Sequence, residues 1–207
     1  MTDTDRNQVL ILFAHPAVRR SRVNRRLVEA VRGLEGVTVH DLYEAYPDLH
    51  IDVAREQELL VRHDVVVLQH PFFWYSTPAI LKEWQDLVLE HGWAYGRDGY
   101  ALEGKTMLSA VTAGGPEEAY REDGSNRYTM RQLLAPIEQT AHLCGMEYLP
   151  PFVIHGTHGL KGDDFERSAA DYRRVIVALR DGSLDRGAVR HLPRINQDLS
   201  AVLGPGS

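Results

Sequence analysis

The chain has 207 residues, of which 43% are hydrophobic, and its 23 Lys and Arg against 29 Asp and Glu give a net charge of −6. This acidic balance excludes a general nucleic-acid-binding protein, which would carry an excess of basic residues. The length suits one domain with a sizeable core, and the composition is that of an ordinary globular protein.

The sequence also gives expectations about compartment. No apolar run approaches the ~20 residues that span a bilayer, and the N-terminal segment MTDTDRNQ lacks the apolar core of a signal peptide. The single cysteine, Cys144, allows no internal disulfide and lies in an apolar stretch, so we interpret it as a buried, inert thiol. We expect a cytoplasmic protein.

Short apolar runs alternate with longer amphipathic segments along the first half of the chain. The continuous apolar run 9–14 predicts a strand buried on both faces. Ser21 can cap a helix over 21–32. The alternating segment 37–43 predicts a second strand. A helix over 52–63 and a third buried strand over 64–71 follow.

The same alternation continues in the second half. A helix is predicted within 78–92, with Pro78 just before it, and a fourth strand over 105–115 ends in two glycines. Segment 127–145 predicts a helix, 146–156 a fifth strand and 163–182 a closing helix. Five strands alternating with five helices imply an α/β fold, in which a parallel sheet is covered by helices on both faces.

Prolines modify two of these elements. Pro136 should kink or break its helix, and Pro150 and Pro151 favour an edge strand or a bulge. We expect one domain over 8–182. Residues 183–207, which end in GPGS, are expected to form a partly flexible C-terminal tail.

Ligands of open parallel sheets bind beyond the carboxyl ends of the strands, near the point where the strand order reverses. Three such ends carry unusual sequence: HPAVRRSR (15–22), HPFFWYSTP (70–78) and TAGGPEEAY (112–120). We expect these three loops to meet at one crevice.

The first of these loops is strongly basic. Positive charge at a helix N-terminus opposes the helix dipole, yet arginines surround this predicted helix start: Arg19, Arg20, Arg22, Arg25 and Arg26. An anion would explain them, because a helix N-terminus binds phosphate and arginines add charge-assisted hydrogen bonds. We interpret the loop as a phosphate site, with Ser21 and Asn24 better candidates than any single arginine. The alternative is a solvated basic face.

The other two loops suggest a flat ligand. Phe72, Phe73, Trp74 and Tyr75 are adjacent in a loop, which indicates an apolar ligand, a loop folded onto the core, or a dimer interface. The pair Gly114 and Gly115 lets backbone N–H groups approach a ligand, although such a pair can also be a simple turn.

Other catalytic motifs are absent. The chain lacks G-x-G-x-x-G, the P-loop pattern and the G-x-S-x-G elbow. The histidines show no convincing metal spacing, and we interpret His155 and His158 as satisfied or exposed rather than as metal ligands. A phosphate site, an aromatic wall and a backbone cradle together fit flavin mononucleotide (FMN), with phosphate on the first loop and the ring across the other two.

With these residues the sequence resembles the flavodoxin-like NAD(P)H quinone oxidoreductases, the group that includes mammalian DT-diaphorase. It looks closest to the bacterial ancillary proteins of glutathione-gated potassium efflux systems. The matching stretches are AHP (14–16), DLYEAYPDLHID (41–52), EQELLVRHDVVVLQHPFFWYSTPAILKEWQD (56–86), HGWAYG (91–96), LEGK (102–105), TAGG (112–115) and CGMEYLPPFVIHG (144–156). The resemblance covers roughly residues 8–180.

The resemblance implies a flavodoxin-like three-layer fold with strand order 2-1-3-4-5 and a homodimer with active sites at the subunit interface. It implies FMN, less readily FAD, as cofactor and NAD(P)H as co-substrate. The positions that would bind flavin are His15, Ser21, Val23, Asn24, Pro71, Phe72, Phe73, Trp74, Tyr75, Thr112, Ala113, Gly114 and Gly115.

The implied activity is two-electron, ping-pong hydride transfer from NAD(P)H through flavin to a quinone. Tyr120 is our candidate for a hydrogen bond to the quinone oxygen, with an ordinary loop tyrosine as the alternative. The chain departs from the mammalian pattern, because Asn126 stands where a His follows that Tyr by six residues. Ala113 replaces the second Thr of Thr-Thr-Gly-Gly.

Other interpretations stay open. The protein could be an ancillary subunit that binds and activates a potassium efflux antiporter, peripheral to the inner face of the membrane through that partner. An azo or nitro compound could be the acceptor, and either NADH or NADPH the donor. A one-electron flavodoxin is disfavoured, because HPAVRRSR is not a phosphate loop rich in Ser, Thr and Gly.

Overall fold

The computed structural model describes residues 6–203. Its centre is a parallel sheet of six strands in the order β2-β1-β3-β4-β5, with β6 also pairing with β4. The strands are β1 (Val9–Phe13), β2 (Val37–Asp41), β3 (Val65–Pro71), β4 (Thr106–Thr112), β5 (Glu147–Tyr148) and β6 (Phe152–Ile154). The α/β fold and the strand order 2-1-3-4-5 predicted from the sequence are confirmed.

Helices cover both faces of this sheet. They are α1 (Arg22–Val31), α2 (Leu42–Ala45), α3 (Val53–Arg62), α4 (Ala79–Val88), α5 (Met130–Leu133), α6 (Ala135–Leu143), α7 (Gly162–Arg180), α8 (Arg186–Val189) and α9 (Leu199–Val202). Every residue of β1, β3 and β4 is buried, as expected for strands enclosed between two helical layers.

The sheet divides the hydrophobic core into two clusters, and the side chains of β1 contribute to both. Leu10 and Leu12 pack in the cluster that contains Trp84 of α4. Val9 and Ile11 point to the other face and pack with the helices α1 and α7. This division follows from the alternation of side chains along a strand.

The helix predicted over 127–145 is two helices in the structure. Thr129 caps α5 in a capping box with Gln132, and the chain then kinks at Leu134, where α6 begins. Pro136 lies in the first turn of α6, where its missing N–H costs no helical hydrogen bond. The expected break at this proline is therefore present, two residues earlier, at Leu134.

The predicted fifth strand is divided into β5 and β6 by Leu149, Pro150 and Pro151. Prolines lack the N–H that a ladder needs. Both pieces pair with β4, so this is the sheet edge. Asn196 covers that edge, because its side-chain Oδ1 accepts from the Val153 N–H (3.0 Å) and its Nδ2 donates to the Val153 carbonyl (2.9 Å).

The C-terminal segment, residues 184–203, differs from the flexible tail we expected. It packs against the α7 face of the core through buried apolar side chains: Leu184, Val189, Ile195, Val202 and Leu203. These residues are separated by polar stretches and form no periodic run, which is why the sequence pattern did not reveal a packed segment. The GPGS end, 204–207, lies outside the described residues.

None of the helices between residues 6 and 203 combines the length and apolarity needed to cross a membrane.

On the face of the sheet that packs against Trp84, the buried carboxylate of Glu56 connects several elements. Glu56 of α3 is 0% exposed and accepts hydrogen bonds from three side chains: His40 (2.8 Å), Tyr46 (2.6 Å) and Trp84 (2.8 Å). Burial alone would raise the pKa of this carboxyl, but the hydrogen bonds outweigh burial and lower the pKa below its usual value. Glu56 therefore contributes its stabilisation as a carboxylate.

We expect Glu56→Ala to lower the free energy of unfolding by about 3 kcal/mol, because it leaves three buried donors without an acceptor. Glu58→Ala is the matched control on the same helix. Its side chain is exposed and pairs with Arg62, so it should cost less than about 0.5 kcal/mol. Urea unfolding measures both.

The stabilisation that Glu56 contributes should depend on pH. Because the folded pKa of Glu56 is depressed, its stabilisation is present above about pH 4.5 and is lost as the pH falls through the folded value. The difference between wild type and Glu56→Ala should therefore shrink below that pH. A difference that is constant from pH 7 to pH 3 would contradict the carboxylate's role.

Candidate functional site

The carboxyl ends of β1, β3 and β4 open on one crevice of about 340 Å³. Its walls come from the loop before α1, the start of α1, the ends of β3 and β4, and the segments after β3 and β6. The lining residues are His15, Ala17, Arg20, Ser21, Arg22, Val23, Asn24, Pro71, Phe73, Thr112, Thr157 and His158. The sequence-predicted residues that the structure brings together here are His15, Ser21, Val23, Asn24, Pro71, Phe73 and Thr112.

Ser21 begins the helix at the mouth of this crevice. The Asn24 N–H donates to Ser21 Oγ (3.1 Å), which makes Ser21 the N-cap of the ten-residue helix α1. The first N–H groups of a helix have no intrahelical acceptor, and together with the helix dipole they favour an anion. The start of α1 can therefore bind a phosphate group.

Asn24 connects that helix to the central sheet. Its side chain is buried, and Nδ2 donates to Thr112 Oγ1 at the end of β4 (2.8 Å). Its Oδ1 is buried without a hydrogen-bond partner among the described residues. A buried polar atom without a partner costs free energy, and such atoms are often found at functional sites.

His15 forms the wall next to β1. Its Nδ1 accepts from the Ala17 N–H (3.0 Å), and its ring meets Phe73 edge to face with centroids 6.0 Å apart. Burial lowers the pKa of His15 below its ordinary value. His15 is therefore neutral at pH 7, and it contributes an uncharged ring to the wall of the crevice.

The arginines around the start of α1 differ in what they contact. Arg20 and Arg22 line the crevice. The guanidinium groups of Arg22 and Arg26 lie over the ring of Phe165, 5.3 and 5.0 Å from its centroid, and Arg26 also pairs with Glu166 of α7 (3.1 Å).

The remaining arginines lie outside the crevice. Arg25 pairs with Glu29 along α1 (3.5 Å), and Arg19 is exposed. Much of the cluster thus fastens α1 to α7 or faces solvent, and only part of it can reach an anion.

The aromatic loop turns sharply between Phe73 and Ser76. The Ser76 N–H donates to the Phe73 carbonyl (3.0 Å), and Trp74 and Tyr75 adopt left-handed conformations with φ of 48° and 62°. Such conformations are strained for residues other than glycine. The turn leaves Trp74 93% exposed, so a large apolar surface stands beside the crevice.

Phe72 differs from its three neighbours. It is buried in the core, where its ring contacts Tyr75 and Tyr120 edge to face. It therefore supports the aromatic loop from beneath rather than lining the crevice.

The double glycine lies where β4 meets the segment after β6. The Ala113 N–H donates to the Ile154 carbonyl (2.8 Å), and the Gly156 N–H donates to the Gly115 carbonyl (2.8 Å). A Cβ on Gly114 would lie 2.6 Å from His158 Nε2, and one on Gly115 would lie 3.2 Å from the Tyr120 ring. A Cβ on Gly114 would therefore require the His158 side chain to move, whereas one on Gly115 would require the Tyr120 ring to shift only slightly. Ala113 itself is fully buried.

Tyr120 packs over Gly115 and is half-buried. Burial raises the pKa of Tyr120 above its ordinary value. Asn126 accepts a hydrogen bond from the Tyr75 hydroxyl (3.2 Å) and interacts with Tyr120, so it links the aromatic loop to the segment after β4. The structure places Tyr120 in the wall of a second cavity rather than among the residues that line the crevice.

Sequence reasoning missed Thr157 and His158. They follow β6, and the Thr157 N–H donates to the Ala113 carbonyl (3.1 Å). The rule that ligands bind beyond the strand ends applies to the last strand as well, and it could have found them. Within residues 6–203 no group of three or more His, Cys, Asp or Glu side chains is arranged to hold a metal.

This geometry defines an α/β protein with a ligand crevice at the point where the strand order reverses, between β1 and β3. Residues 7–176 match the family described as Flavodoxin-like fold. The chain belongs to this family.

Named relatives and solved structures agree with this assignment. The glutathione-regulated potassium-efflux system ancillary protein KefF of Enterobacter sp. (strain 638) is 46% identical over 169 residues, which cover 82% of this chain and 95% of KefF. General stress protein 14 of Treponema denticola, solved in complex with FMN, is 41% identical with a TM-score of 0.79, over 84% of this chain and 99% of that one. An NADPH-quinone reductase from P. pentosaceus is 33% identical with a TM-score of 0.75, over 81% of this chain and 96% of that one.

The hydrogen bond between Asn24 and Thr112 should be measurable by a double-mutant cycle. We expect Asn24→Ala and Thr112→Val each to lower the free energy of unfolding, with a coupling energy of about 1 kcal/mol. The reason is that each variant removes one partner of the same buried contact. Unfolding in urea, without added ligand, gives the four free energies, and a coupling of zero would show that the contact does not hold α1 to β4.

Proposed function

We propose that the protein is an FMN-dependent NAD(P)H:quinone oxidoreductase that transfers two electrons in a ping-pong cycle. The observation that carries this proposal is the crevice itself, in which the capped start of α1 lies opposite Phe73 of the aromatic loop and Thr112 at the end of β4. The flavodoxin-like relative in complex with FMN supports it, as does the NADPH-quinone reductase.

The phosphate of FMN would lie at the start of α1. Backbone N–H groups at residues 22 and 23 and the Ser21 hydroxyl would hold it, and Arg20 would add positive charge at the rim. Neutral His15 beside them accepts a backbone hydrogen bond and keeps the end of β1 in place.

The flat ring of FMN would lie between the aromatic turn and the double glycine. The N–H of Gly114, with that of Gly115, would face the polar edge of the ring. Trp74 and Tyr75 would supply apolar surface. Bound FMN supplies the two-electron redox chemistry, which the protein positions and tunes.

Tyr120 is our candidate for the group that donates a hydrogen bond to the quinone oxygen. Its raised pKa keeps the hydroxyl protonated at neutral pH, as a donor requires. Its contacts with Phe72 (6.2 Å between centroids) and Asn126 fix the ring over Gly115.

We further propose a cytoplasmic homodimer in which a second copy completes the site. The large exposed aromatic surface of Phe73, Trp74 and Tyr75 beside the crevice supports this, because large exposed apolar patches mark interaction sites. Light scattering with the wild type and a Trp74→Ser variant tests it, since the variant should shift the population toward monomer.

A second candidate function is regulation of a potassium efflux antiporter, with the reductase activity secondary. The 46% identity to KefF favours it. The test compares antiporter-dependent potassium efflux in cells that lack their own ancillary protein, with and without this chain. Restored efflux supports the regulatory role, and unchanged efflux argues for a free-standing reductase.

The main proposal is tested by the colour of the purified protein. The FMN-loaded protein should be yellow, lose its visible absorbance when NADPH or NADH is added, and regain it when a quinone follows. A protein that does not retain FMN after reconstitution, or whose flavin is not reduced by either nucleotide, would overturn the proposal.

The Gly114→Ala variant should bind FMN about tenfold more weakly, because the new Cβ would push His158 into the crevice that it lines. Gly159→Ala is the matched control, since a Cβ there meets its nearest atom at an ordinary 3.6 Å. Fluorescence titration of the flavin-free protein gives both affinities. Equal affinities for the two variants would place the flavin elsewhere.

The Tyr120→Phe variant should lower kcat/KM for the quinone by about tenfold or more, because the donor to the developing oxygen charge is lost. Tyr128→Phe, in an exposed side chain eight residues later, should keep the wild-type value. Steady-state kinetics at saturating NADPH measures both. An unchanged value for Tyr120→Phe would make Tyr120 an ordinary loop residue.

A further inference from the structure

Tyr120 lines a second cavity of about 310 Å³, separate from the first crevice. It separates the segment that follows β4 from the end of β6 and from the C-terminal segment. Its lining residues are Glu117, Tyr120, Arg121, Thr129, Met130, Arg131, Val153, His155, Pro193 and Arg194. None of them lines the first crevice.

The floor of this cavity is apolar and partly aromatic. The rings of Tyr120 and His155 are tilted against one another with centroids 5.1 Å apart, and Met130 and Val153 are buried hydrophobic residues. Burial and the charge of Arg194 lower the pKa of His155 to about 4, so the imidazole is neutral at pH 7. Its Nδ1 is buried without a hydrogen-bond partner in the described chain.

The rim of this cavity is cationic. Arg194 pairs with Glu117 (2.6 Å), and Arg131 pairs with Glu138, which lies outside the cavity (2.7 Å). Arg121 is exposed, and its charge acts on Glu117 as well. Among the lining residues three arginines thus face one carboxylate, that of Glu117.

The C-terminal segment supplies part of the wall. Pro193 and Arg194 belong to it, and the family match ends at residue 176. The segment is fixed beside the cavity by the Asn196 hydrogen bonds to Val153 and by the buried Ile195. The C-terminal segment therefore forms one side of the cavity.

We propose that this cavity is a second ligand site and that it binds a small aromatic carboxylate. The Tyr120 and His155 rings and the apolar floor receive the ring of the ligand, and Arg121, supported by Arg194, pairs with its single negative charge. A ring next to ring faces, and an anion opposite a rim on which arginines outnumber the lining carboxylate, match both the shape and the charge of the cavity. The inference goes beyond the proposed reductase function and does not depend on it.

The test uses the full chain saturated with FMN and two probes, 2-naphthoate and the neutral 2-naphthamide, with binding measured by isothermal titration calorimetry. We expect one site for 2-naphthoate and binding of the amide at least about tenfold weaker, because the amide cannot form the ion pair. Equal binding of the two probes would overturn the proposal. So would loss of 2-naphthoate binding when FMN is added, since the probe would then occupy the first crevice.

Variants locate the site. Arg121→Gln should weaken 2-naphthoate binding by about tenfold, and because Arg121 is exposed the variant should keep the wild-type free energy of unfolding. Arg190→Gln is the control, since Arg190 lies on the same C-terminal segment but pairs with Glu147 away from the cavity. Wild-type binding by Arg121→Gln, or equal losses in both variants, would contradict the assignment.

Discussion

The placement of the crevice depends on the pairing of β3 with both β1 and β4. This strand is buried along its whole length and aligns its neighbours in parallel register, with Phe13 opposite Gln69 and Thr112 opposite Pro71. Because the strands are parallel and end at the same edge, three distant loops emerge side by side. Each group of the candidate site owes its position to this register, from His15 after β1 to Gly114 after β4.

Contacts from outside the sheet then fix the loops relative to one another. Asn24 holds the start of α1 against the end of β4, the Thr157 N–H holds the segment after β6 against Ala113, and Asn126 joins the two tyrosine-bearing loops. The strained turn at Trp74 and Tyr75 persists within this frame, because the surrounding packing outweighs the local cost. A site held in this way needs little rearrangement when a ligand binds, which favours affinity.

Much of this arrangement could be predicted from the sequence. Continuous apolar runs predict the buried strands. Their alternation with amphipathic segments predicts the parallel sheet, and with it the edge at which ligands bind. The sequence could not show that Phe72 turns inward while Trp74 turns outward, because four adjacent aromatic residues carry no periodicity. It also could not show that Arg26 faces Phe165, a contact across 139 positions of the chain, or that the dispersed apolar residues after position 183 pack on the core. In each case tertiary contacts, rather than local pattern, decide the outcome.

The side-chain amide of Asn196 limits how two molecules of this protein can associate. The outer edge of a sheet offers unpaired N–H and C=O groups that can recruit a strand from another molecule. At β6 both groups of Val153 are already occupied by that one side chain. The backbone of Val153 is thereby closed to intermolecular strand addition, so contacts between copies at this position must be built from side chains and loops.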